Sequence, residues 1–333
     1  MINLNNSSIL CTGGNGFIGS NFIEYLDNNF IDVKIFNIDK MGVGSRNLEI
    51  VGSSVLGEAS FEKTKHKNLY RSLMMDLYLI AHYGFPKDLK FDYVFHFAAE
   101  SHVDRSINLP ASFISNNVMG TTALLEYCRI HQPQARIIQV GTDEVYGHLK
   151  LNESPFTENS NLHPRSPYSA SKASADLIAG SYHSTYDMDI ITTRCCNNYG
   201  PHQHSEKFIP TVIRSLKNKE KIPVYGTGEN IREWIYVDDH NKSLLEIAEI
   251  GRSGTTYNIG SGIEKTNLEL IEDIIELGNF GGSIEDHIKF VDDRKGHDFR
   301  YAITSLHYNR RFELYNYKQA LKETIKFYLN FEP

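Results

Sequence analysis

The sequence predicts an α/β protein with a doubly wound parallel sheet and a smaller carboxyl-terminal α/β lobe. Short apolar runs alternate with segments of helix length as far as Arg194. Most of these runs are apolar at almost every position, which is typical of strands covered by helices on both faces. Beyond Arg194 the alternation gives way to turn-rich stretches with short helical patterns, which indicates a second lobe.

The first predicted elements are a strand, a tight turn and a helix. Ser8 to Thr12 is a short apolar run, glycines follow it, and apolar residues recur at helical spacing from Phe17 to Leu26. Further strands are predicted at 33–38, 93–99, 136–141 and 190–194. We therefore place a first domain at 1–193 and a second lobe at 194–333. A later segment near 231–257 is expected to return to the first domain.

The composition is that of a soluble globular protein. The chain has 333 residues and a mass of 38.0 kDa, which allows one large domain or two of ordinary size. Hydrophobic residues make up 41% and charged residues 23% of the chain. The net charge of -7 and the pI near 6.1 provide no basic face, so we expect no nucleic-acid partner.

We expect a cytoplasmic protein without a membrane partner. No apolar run reaches the roughly 18 residues of a membrane span, and residues 1–6 lack the basic and apolar regions of a secretory signal. His202 and His204 form an HxH pair, but no third ligand is apparent and we expect no metal. The cysteines show no CxxC spacing, which argues against a disulfide framework and a zinc site. They are Cys11, Cys128, Cys195 and Cys196.

Three glycines between the first strand and its helix predict a nucleotide site. Gly13, Gly16 and Gly19 form GxxGxxG, which permits a tight turn and lets a pyrophosphate approach the free N–H groups of the helix. Alone, the pattern is weak. Asp39 ends the second strand about 20 residues later, where a carboxylate binds ribose hydroxyls and repels a 2′-phosphate. These residues predict a Rossmann-type domain that binds NAD, with Asp76 as a weaker candidate for the adenine side.

A tyrosine and a lysine form the first candidate catalytic pair. Tyr168 and Lys172 are four residues apart, which places both on one helix face, and Pro167 suits the first turn of that helix. A nearby cation lowers a phenol pKa from its ordinary value of about 10, so we expect Lys172 to lower the pKa of Tyr168. As an isolated pattern, YxxxK is common in surface helices.

A hydroxyl and two carboxyl groups close the apolar run at 136–141. Thr142, Asp143 and Glu144 follow it directly. A carboxylic acid and a carboxylate of separated pKa can together remove a C–H proton and expel water, provided that the chain turns between them. The alternative is that the two acids are merely favoured near a helix N-terminus.

These motifs occur together with others in an order that is hard to obtain by chance. In the first domain they are GGNGFIGS at 13–20, AAESHVDRS at 98–106, TDEVYG at 142–147 and YSASK at 168–172. In the second lobe they are NNYGP at 197–201, EK at 206–207, REWIYVDDH at 232–240 and DRKGHD at 293–298. Over nearly the whole chain, the sequence resembles the nucleoside-diphosphate-glucose 4,6-dehydratases, typified by the dTDP-glucose enzyme, of the extended short-chain dehydrogenase/reductase superfamily.

The resemblance implies a role for each candidate catalytic residue. Tyr168 would take the sugar O4 proton as hydride leaves C4 for NAD+, Lys172 would hold the ribose and tune Tyr168, and Thr142 would hydrogen-bond O4. Glu144 would then remove the C5 proton while Asp143 protonates the departing C6 hydroxyl. The hydride returns to C6, so this lyase keeps its NAD+ tightly bound and regenerates it. The product would be a 4-keto-6-deoxy sugar nucleotide for rhamnose-type deoxysugar biosynthesis.

The resemblance also implies binding residues and a homodimer. The implied NAD-binding residues, besides Tyr168 and Lys172, are Gly13, Gly16, Phe17, Ile18, Gly19, Asp39, Lys40, Asp76, Leu77, Ala98, Ala99 and Asn198. The implied nucleotide-sugar residues, besides Thr142, are Ser101, Asn197, Lys207, Arg232, Asn267, Arg294 and His297. Arg232 would bind the diphosphate, because a guanidinium fork suits two oxygens. A homodimer would form through helices near 109–130 and 168–186.

Four positions depart from the usual pattern of the family. Asn116 stands where threonine is common, Ser205 and Lys295 replace common prolines, and Phe299 replaces a common arginine. None is a proposed catalytic group, but they leave dTDP-glucose and UDP-glucose both open as substrates. Trp234, the single tryptophan of the chain, is expected to be a packing anchor.

Three other functions stay open at this point. A nucleotide-sugar 4-epimerase of the same fold would need Tyr168 and Lys172 but no acid and base at Asp143 and Glu144. A decarboxylase would need a cationic pocket for a sugar carboxylate and commonly lacks an aspartate at the position of Asp143. A catalytically silent NAD-binding scaffold would keep the glycines and Asp39 while losing catalytic groups. The full set of groups favours dehydration.

Overall fold

The computed structural model describes residues 4–46, 48, 61–80, 89–293 and 296–330. Its strands are β1 (Ser8–Thr12), β2 (Lys34–Asp39), β3 (Glu62–Lys63), β4 (Leu69–Met74), β5 (Tyr93–His96), β6 (Arg136–Thr142), β7 (Ile190–Cys195), β8 (Asn197–Tyr199), β9 (Ile222–Tyr225), β10 (Ile231–Tyr236), β11 (Thr256–Ile259), β12 (Glu264–Thr266) and β13 (Ile288–Val291). The five predicted strands are all present. The one at 93–99 is shorter than predicted, because it ends at His96.

Helices separate most of the strands. They are α1 (Phe17–Asn29), α2 (Val103–Asn108), α3 (Pro110–Phe113), α4 (Gly120–His131), α5 (Pro167–Tyr186), α6 (Phe208–Lys217), α7 (Val237–Ile250), α8 (Asn267–Gly278) and α9 (Tyr317–Asn330). A π-helical segment, Ile114–Met119, joins α3 to α4, and the short helices Leu77–Leu79, Asp143–Tyr146 and Ile284–Asp286 are of the 3-10 type. In the part of the chain that the structure describes, no helix is both long and apolar enough to cross a membrane.

The main sheet has eight strands in the order β11-β7-β6-β5-β1-β2-β4-β3. All neighbours are parallel except β3 and β4, which are antiparallel. Ile9, Leu10 and Cys11 of β1 are fully buried, and so are Phe22 and Leu26 of α1. Apolar strands that pack against amphipathic helices form this arrangement, so the doubly wound parallel fold is confirmed.

The strand order places a crevice at the carboxyl end of β1. From β1 the chain proceeds outward on one side to β2, and it later returns to the other side of β1 as β5. The loops that leave β1 and β5 therefore diverge, which is where open α/β sheets bind ligands. The glycine turn after β1, the segment after β5 and the end of β6 all open into this crevice.

A single residue joins the main sheet to the second lobe. β7 ends at Cys195, and after Cys196 the chain enters β8 at Asn197. β8 belongs to a three-stranded sheet of order β12-β10-β8, while β9 and β13 form a parallel pair. Since Cys195 pairs with Thr142 of β6, the start of the second lobe lies beside the end of β6.

A later segment of the chain rejoins the main sheet. α7 packs against α1, and β11 pairs in parallel with β7, from Thr256 opposite Thr192 to Ile259 opposite Cys195. β10 lies in the three-stranded sheet instead. The remaining elements of the second lobe share their own core, in which α6, α8 and α9 contribute Ile213, Ile274 and Leu321. The division into domains at residue 193 stays a prediction.

Candidate active site

A cavity of about 540 Å³ lies between the carboxyl edge of the main sheet and the second lobe. Nearly all predicted site residues line it, with two exceptions. Asp143 is only 1% exposed and lies behind the lining, and Arg294 lies outside the described residues. The predicted residues on the wall are Gly13, Gly16, Phe17, Ile18, Gly19, Asp39, Lys40, Asp76, Leu77, Ala98, Ala99, Ser101, Thr142, Glu144, Tyr168, Lys172, Asn197, Asn198, Lys207, Arg232, Asn267 and His297.

The glycine turn forms one end of this cavity. Gly13 has a φ of +72°, and a Cβ there would lie 2.6 Å from the backbone Cα of Ala98. A Cβ on Gly19 would lie 2.4 Å from the carbonyl oxygen of Gly13. α1 begins just after Gly16, which has no capping side chain for the first N–H groups. Backbone donors at a helix N-terminus that no Cβ covers fit a pyrophosphate.

Asp39 secures the loop that follows β2. Its carboxylate accepts hydrogen bonds from the N–H groups of Met41 (2.7 Å) and Asn15 (2.9 Å) and from the hydroxyl of Ser45 (3.3 Å). Burial raises the pKa of Asp39, while the N–H bonds from Met41 and Asn15 lower it. An ionised carboxylate at this place accepts ribose hydroxyls and repels a 2′-phosphate, which fits NAD better than NADP.

Lys40 is held across the cavity by residues that follow β5. Its ammonium donates to Glu100 (2.5 Å) and to the side-chain oxygen of Asn116 (2.9 Å). Asn116 is one of the departures from the family pattern, and the structure gives it this contact. The lysine therefore joins the loop after β2 to the helical segment before α4.

Asn198 offers a buried acceptor to the cavity. Its side-chain N–H₂ donates to the carbonyl of Cys196 (3.1 Å) and to Sγ of Cys195 (3.4 Å). Its Oδ1 is buried and has no hydrogen-bond partner in the described parts of the chain. An orphaned acceptor on a cavity wall fits a carboxamide donor, as on a nicotinamide. With the glycine turn and Asp39, this residue makes the cavity fit NAD.

Tyr168 and Lys172 project from the first turns of α5. Ser166 caps this helix in a reciprocal pair of hydrogen bonds with Ser169. The ammonium of Lys172 donates to the carbonyl of Val140 (2.7 Å), and burial lowers its pKa although Asp176 opposes this. The helix cap and the bond to β6 thus fix both side chains against the end of the sheet.

The electrostatics around Tyr168 differ from the sequence prediction. Burial and then the carboxylate of Glu144 raise the pKa of Tyr168, and a hydrogen bond with Thr142 lowers it. The ammonium of Lys172 is directed to the carbonyl of Val140. The net direction is therefore opposite to the lowered pKa that the sequence predicts, because burial and the carboxylate of Glu144 dominate.

Thr142 and the two acids occupy a sharp turn at the end of β6. The Thr142 hydroxyl accepts a hydrogen bond from the N–H of Glu144 (3.4 Å) and donates to Oδ1 of Asp143 (3.3 Å). The 3-10 helix that starts at Asp143 separates the two carboxyl groups, so the predicted turn between them is present. Asp143 is buried in the wall, whereas Glu144 faces the cavity.

The surroundings of Asp143 favour its protonated form. Burial raises its pKa well above the ordinary value, and the carboxylates of Glu144 and Glu233 raise it further, although Arg232 opposes them. Its Oδ2 is buried and has no partner in the described region. A neutral carboxylic acid next to a carboxylate provides the acid and base that an elimination requires.

Basic residues lie on the second-lobe side. The guanidinium of Arg232 donates to the carbonyls of Ile231 (2.7 Å) and Asp298 (2.9 Å), and lies 4.4 Å from the ring centre of Tyr301. Lys207 donates to the carbonyl of Ser101 (2.9 Å), so two predicted substrate residues meet across the cavity. This side can hold an anionic group.

Several residues around the cavity were not predicted. Glu206 accepts two hydrogen bonds from Arg105 (2.7 and 2.8 Å), and His102 and His204 lie 3.6 and 3.7 Å from its carboxylate. Tyr301 supports Arg232. The EK motif marked the position of Glu206, but sequence gives no means of finding its partner in a distant segment. No signal in the sequence distinguishes Tyr301 from other tyrosines.

Trp234 and His202 pack against aromatic rings. Trp234 is buried among Phe208 and Tyr199, as expected of a packing anchor, and also lines the cavity. His202 packs against the ring of Phe327 at 4.5 Å. Over the residues that the structure describes, no group of three His, Cys, Asp or Glu side chains is placed to hold a metal ion.

The fold and the cavity are those of an NAD-dependent dehydratase. Residues 10–326 match the family model described as GDP-mannose 4,6 dehydratase, and the chain belongs to this family.

Curated proteins and solved structures give the same result. The low-salt glycan biosynthesis protein Agl12 of Haloferax volcanii is 45% identical over 295 residues, 89% of each chain. The dTDP-glucose 4,6-dehydratase of Haemophilus influenzae is 39% identical over 97% of this chain and 98% of its own length. A dTDP-glucose 4,6-dehydratase of Streptomyces venezuelae, DesIV, solved with NAD and dTDP bound, is 36% identical, covers 96% of both chains and has a TM-score of 0.82. The resemblance found in the sequence is confirmed.

Proposed function

We propose that the protein is an NAD-dependent dTDP-glucose 4,6-dehydratase, a hydro-lyase that forms dTDP-4-keto-6-deoxyglucose and water for deoxysugar biosynthesis. The observation that carries this proposal is the pair of adjacent carboxyl groups at Asp143 and Glu144. One is buried with a raised pKa and the other faces the cavity, beside Tyr168. The proposal is supported by relatives that carry the same name.

The residues on the glycine side would hold the cofactor. The glycine turn would receive the pyrophosphate, Asp39 the ribose and Asn198 the carboxamide. NAD+ bound in this place would supply a hydride acceptor for C4 and, once reduced, the hydride that returns to C6. Lys172, one helical turn from Tyr168, would donate to the ribose next to the nicotinamide.

The first half of the reaction would depend on Tyr168. Its phenol oxygen would take the O4 proton of the sugar, and the hydroxyl of Thr142 would hydrogen-bond both O4 and the phenol. The hydrogen bond with Thr142 lowers the pKa of Tyr168, which opposes the effects of burial and Glu144. Oxidation at C4 makes the C5 hydrogen acidic, so the second half can begin.

The second half would depend on the two acids. Glu144 would remove the C5 proton, and Asp143 would donate its proton to the departing C6 hydroxyl. The raised pKa favours the protonated form of Asp143 that this role requires. Because Asp143 lies behind the cavity lining, its carboxyl group must move toward the sugar, and its Oδ2 has no partner that would hold it back.

Other functions of this fold account less well for the two acids in the turn at 142–144. An epimerase needs the phenol and the lysine but no acid in the position of Asp143, and burying a carboxyl group without a full set of partners destabilises the fold. A decarboxylase likewise needs no acid in the position of Asp143. A silent NAD-binding scaffold would need none of the groups at 142–144. The turn therefore favours dehydration.

The nucleotide-sugar residues are also part of the proposal. Arg232 and Lys207 would hold the diphosphate, and the remaining predicted residues would surround the sugar and base. They are Ser101, Asn197, Asn267 and His297. Arg294 is retained from the resemblance alone. Since these contacts do not identify the base, UDP-glucose is the competing substrate.

The test is an assay of purified protein with dTDP-glucose and UDP-glucose in parallel. Loss of water is followed by mass, and the 4-keto product by its absorbance in alkali. We expect dehydration of dTDP-glucose to be much the faster reaction. A preference for UDP-glucose would keep the reaction and change the nucleotide. No loss of water from either sugar, with NAD+ present, would overturn the dehydratase assignment.

A homodimer is proposed for the helices at 109–130 and 168–186. These helices lie side by side, and large apolar residues on them are exposed. They are Leu109 (64%), Ile114 (45%), Met119 (47%), Ile130 (54%), Leu177 (65%) and Tyr186 (50%). An apolar surface of this extent is typical of a protein interface. Leu177→Glu should convert dimers to monomers in sedimentation, whereas the control Leu151→Glu, at a position 60% exposed elsewhere, should not.

A cytoplasmic location is proposed on the state of the cysteines. Cys11, Cys128, Cys195 and Cys196 are all buried free thiols. Unpaired thiols are typical of proteins in a reducing compartment. Fractionation of cells should recover the dehydratase activity with the cytosolic enzymes, and recovery with the membranes would contradict this.

A further inference from the structure

A buried ion pair lies beneath the end of β6. The Nε of Arg194, in β7, donates to Oδ2 of Asp176, in α5, at 2.9 Å, and the side chains are only 9% and 2% exposed. Removing two charges from water is costly, and a packed apolar pair often gives equal or greater stability. Stability alone therefore does not explain an ion pair in this place. The other contacts of Arg194 indicate a further role.

The second contact of Arg194 is with the Asp143–Tyr146 turn. Its Nη1 donates to the hydroxyl of Tyr146 (2.9 Å), and the guanidinium lies 4.9 Å from the centre of the Tyr146 ring. Tyr146 is the last residue of the 3-10 helix that contains Asp143 and Glu144. The Tyr146 hydroxyl donates in turn to Oδ1 of Asn258 (2.8 Å).

The first contact of Arg194 reaches the catalytic helix. Asp176 lies one helical turn after Lys172 and two turns after Tyr168. The ion pair also fills the space beside Gly141, where a Cβ would lie 3.2 Å from Oδ1 of Asp176. One guanidinium therefore connects the helix that bears the phenol with the turn that bears the two acids.

We propose that Arg194 is a positioning residue that holds the Asp143–Tyr146 turn in register with the helix of Tyr168 and Lys172. The inference rests on the proposed function, because the two halves of a dehydration use these two elements in succession. A planar guanidinium suits this task, since it can donate in two directions from one fixed plane. The Tyr146 hydroxyl is the point at which the turn is attached.

The catalytic helix has further attachments that do not involve Tyr146. Lys172 donates to the carbonyl of Val140, and the hydroxyl of Ser171 accepts from the amide of Asn117 (2.8 Å). Loss of the Tyr146 hydroxyl should therefore loosen the Asp143–Tyr146 turn while Tyr168 and Lys172 stay in place. A purely structural network would instead affect both halves of the reaction alike.

The test variant is Tyr146→Phe, which removes one hydroxyl and keeps the ring. In single-turnover experiments with dTDP-glucose, we expect water loss and exchange of the C5 hydrogen with solvent deuterium to slow by roughly tenfold or more, as small displacements of catalytic groups do. Oxidation at C4 should stay within about twofold of the wild-type rate. Absorbance of the reduced cofactor should then build up before product forms.

Two further variants make the result interpretable. Tyr308→Phe removes another buried hydroxyl, which donates to Glu246 at 2.6 Å, and should leave both halves unchanged. Arg194→Lys keeps a positive charge but lacks the fork, and should reproduce the selective loss of elimination. Thermal unfolding of all three proteins shows whether they are folded at the assay temperature.

Equal slowing of oxidation and elimination in Tyr146→Phe, or no slowing at all, would overturn the positioning role. Failure of the proposed function gives a different result. In that case the wild-type protein itself would not release water from the sugar nucleotide, and no variant would be needed to show it.

Discussion

Asp143 and Glu144 are neighbours in the chain, yet the turn at the end of β6 places their carboxyl groups in opposite environments. Asp143 is buried in the wall and its pKa is raised by burial and by Glu144 and Glu233, whereas Glu144 faces the cavity. A 3-10 helix rotates successive side chains by about a third of a turn, which is sufficient to separate them. One strand end thereby provides both a proton donor and a proton acceptor.

Asp143→Asn should stop the acid step and spare the oxidation. The amide cannot donate a carboxylic proton to the leaving hydroxyl, so water loss should slow by roughly 10²–10⁴-fold. Oxidation at C4 depends on Tyr168 and should continue, and the absorbance of the reduced cofactor should rise on addition of dTDP-glucose and persist. Unimpaired turnover would remove Asp143 from the role of acid.

Glu144→Gln should stop removal of the C5 proton. In the proposed mechanism, turnover in deuterium oxide incorporates solvent deuterium at C5, and this exchange should disappear in the variant because an amide is not a base at neutral pH. Mass measurement of recovered sugar nucleotide provides the readout. If exchange continued at the wild-type rate, the base would have to be another residue.

Glu233→Gln should change the pH profile of water loss. The carboxylate of Glu233 is among the groups that raise the pKa of Asp143. In the proposed mechanism Asp143 acts in its protonated form, so activity should fall as the pH rises through its pKa. Removing a neighbouring negative charge lowers that pKa, and the alkaline limb of the profile should move to lower pH.

A control is needed because Glu233 also has structural contacts. Its carboxylate accepts the N–H groups of Ser261 (2.6 Å), Gly262 (2.7 Å) and Ile303 (2.9 Å), so the variant should also unfold at a lower temperature. Glu246→Gln replaces another buried glutamate, bonded to Tyr308, which should leave the profile in place. An alkaline limb that stayed fixed in Glu233→Gln would exclude this influence on the acid.

The parts of the site that sequence predicted are those with local constraints. Gly13 and Gly19 must lack a side chain where the turn packs on backbone, and Asp39 must follow a strand. Tyr168 and Lys172 share a helix face by spacing alone. The glycine spacing and the spacing of Tyr168 and Lys172 are short-range patterns, so the sequence predicts these groups, although the backbone on which Gly13 packs is that of the distant Ala98.

The remaining features depend on residues far away in the chain. The pKa of Asp143 is raised first by burial and then by Glu144 and Glu233, while Arg232 lowers it, and both Glu233 and Arg232 come from a distant part of the chain. The pKa of Tyr168 is raised rather than lowered because of its burial and the carboxylate of Glu144, and the spacing to Lys172 reveals neither of these. Similarly, the partner of Glu206 is Arg105, about a hundred residues earlier, and no pattern connects them.

The strongest steric prediction concerns the glycine turn. In Gly13→Ala the added Cβ would lie 2.6 Å from both N and Cα of Ala98, and the backbone has a φ of +72°, which side chains disfavour. Because backbone cannot give way as a flexible side chain can, the turn must move and the pyrophosphate cradle is lost. We expect at least a tenfold weaker affinity for NAD+, on the order of 1.4 kcal/mol, measured by fluorescence titration.

The matched control is Gly180→Ala in α5, where a Cβ meets no atom within 4 Å. It should keep the wild-type affinity and raise the free energy of unfolding by roughly 0.5–1 kcal/mol, and equal affinities in the two variants would show that the turn can accept a side chain.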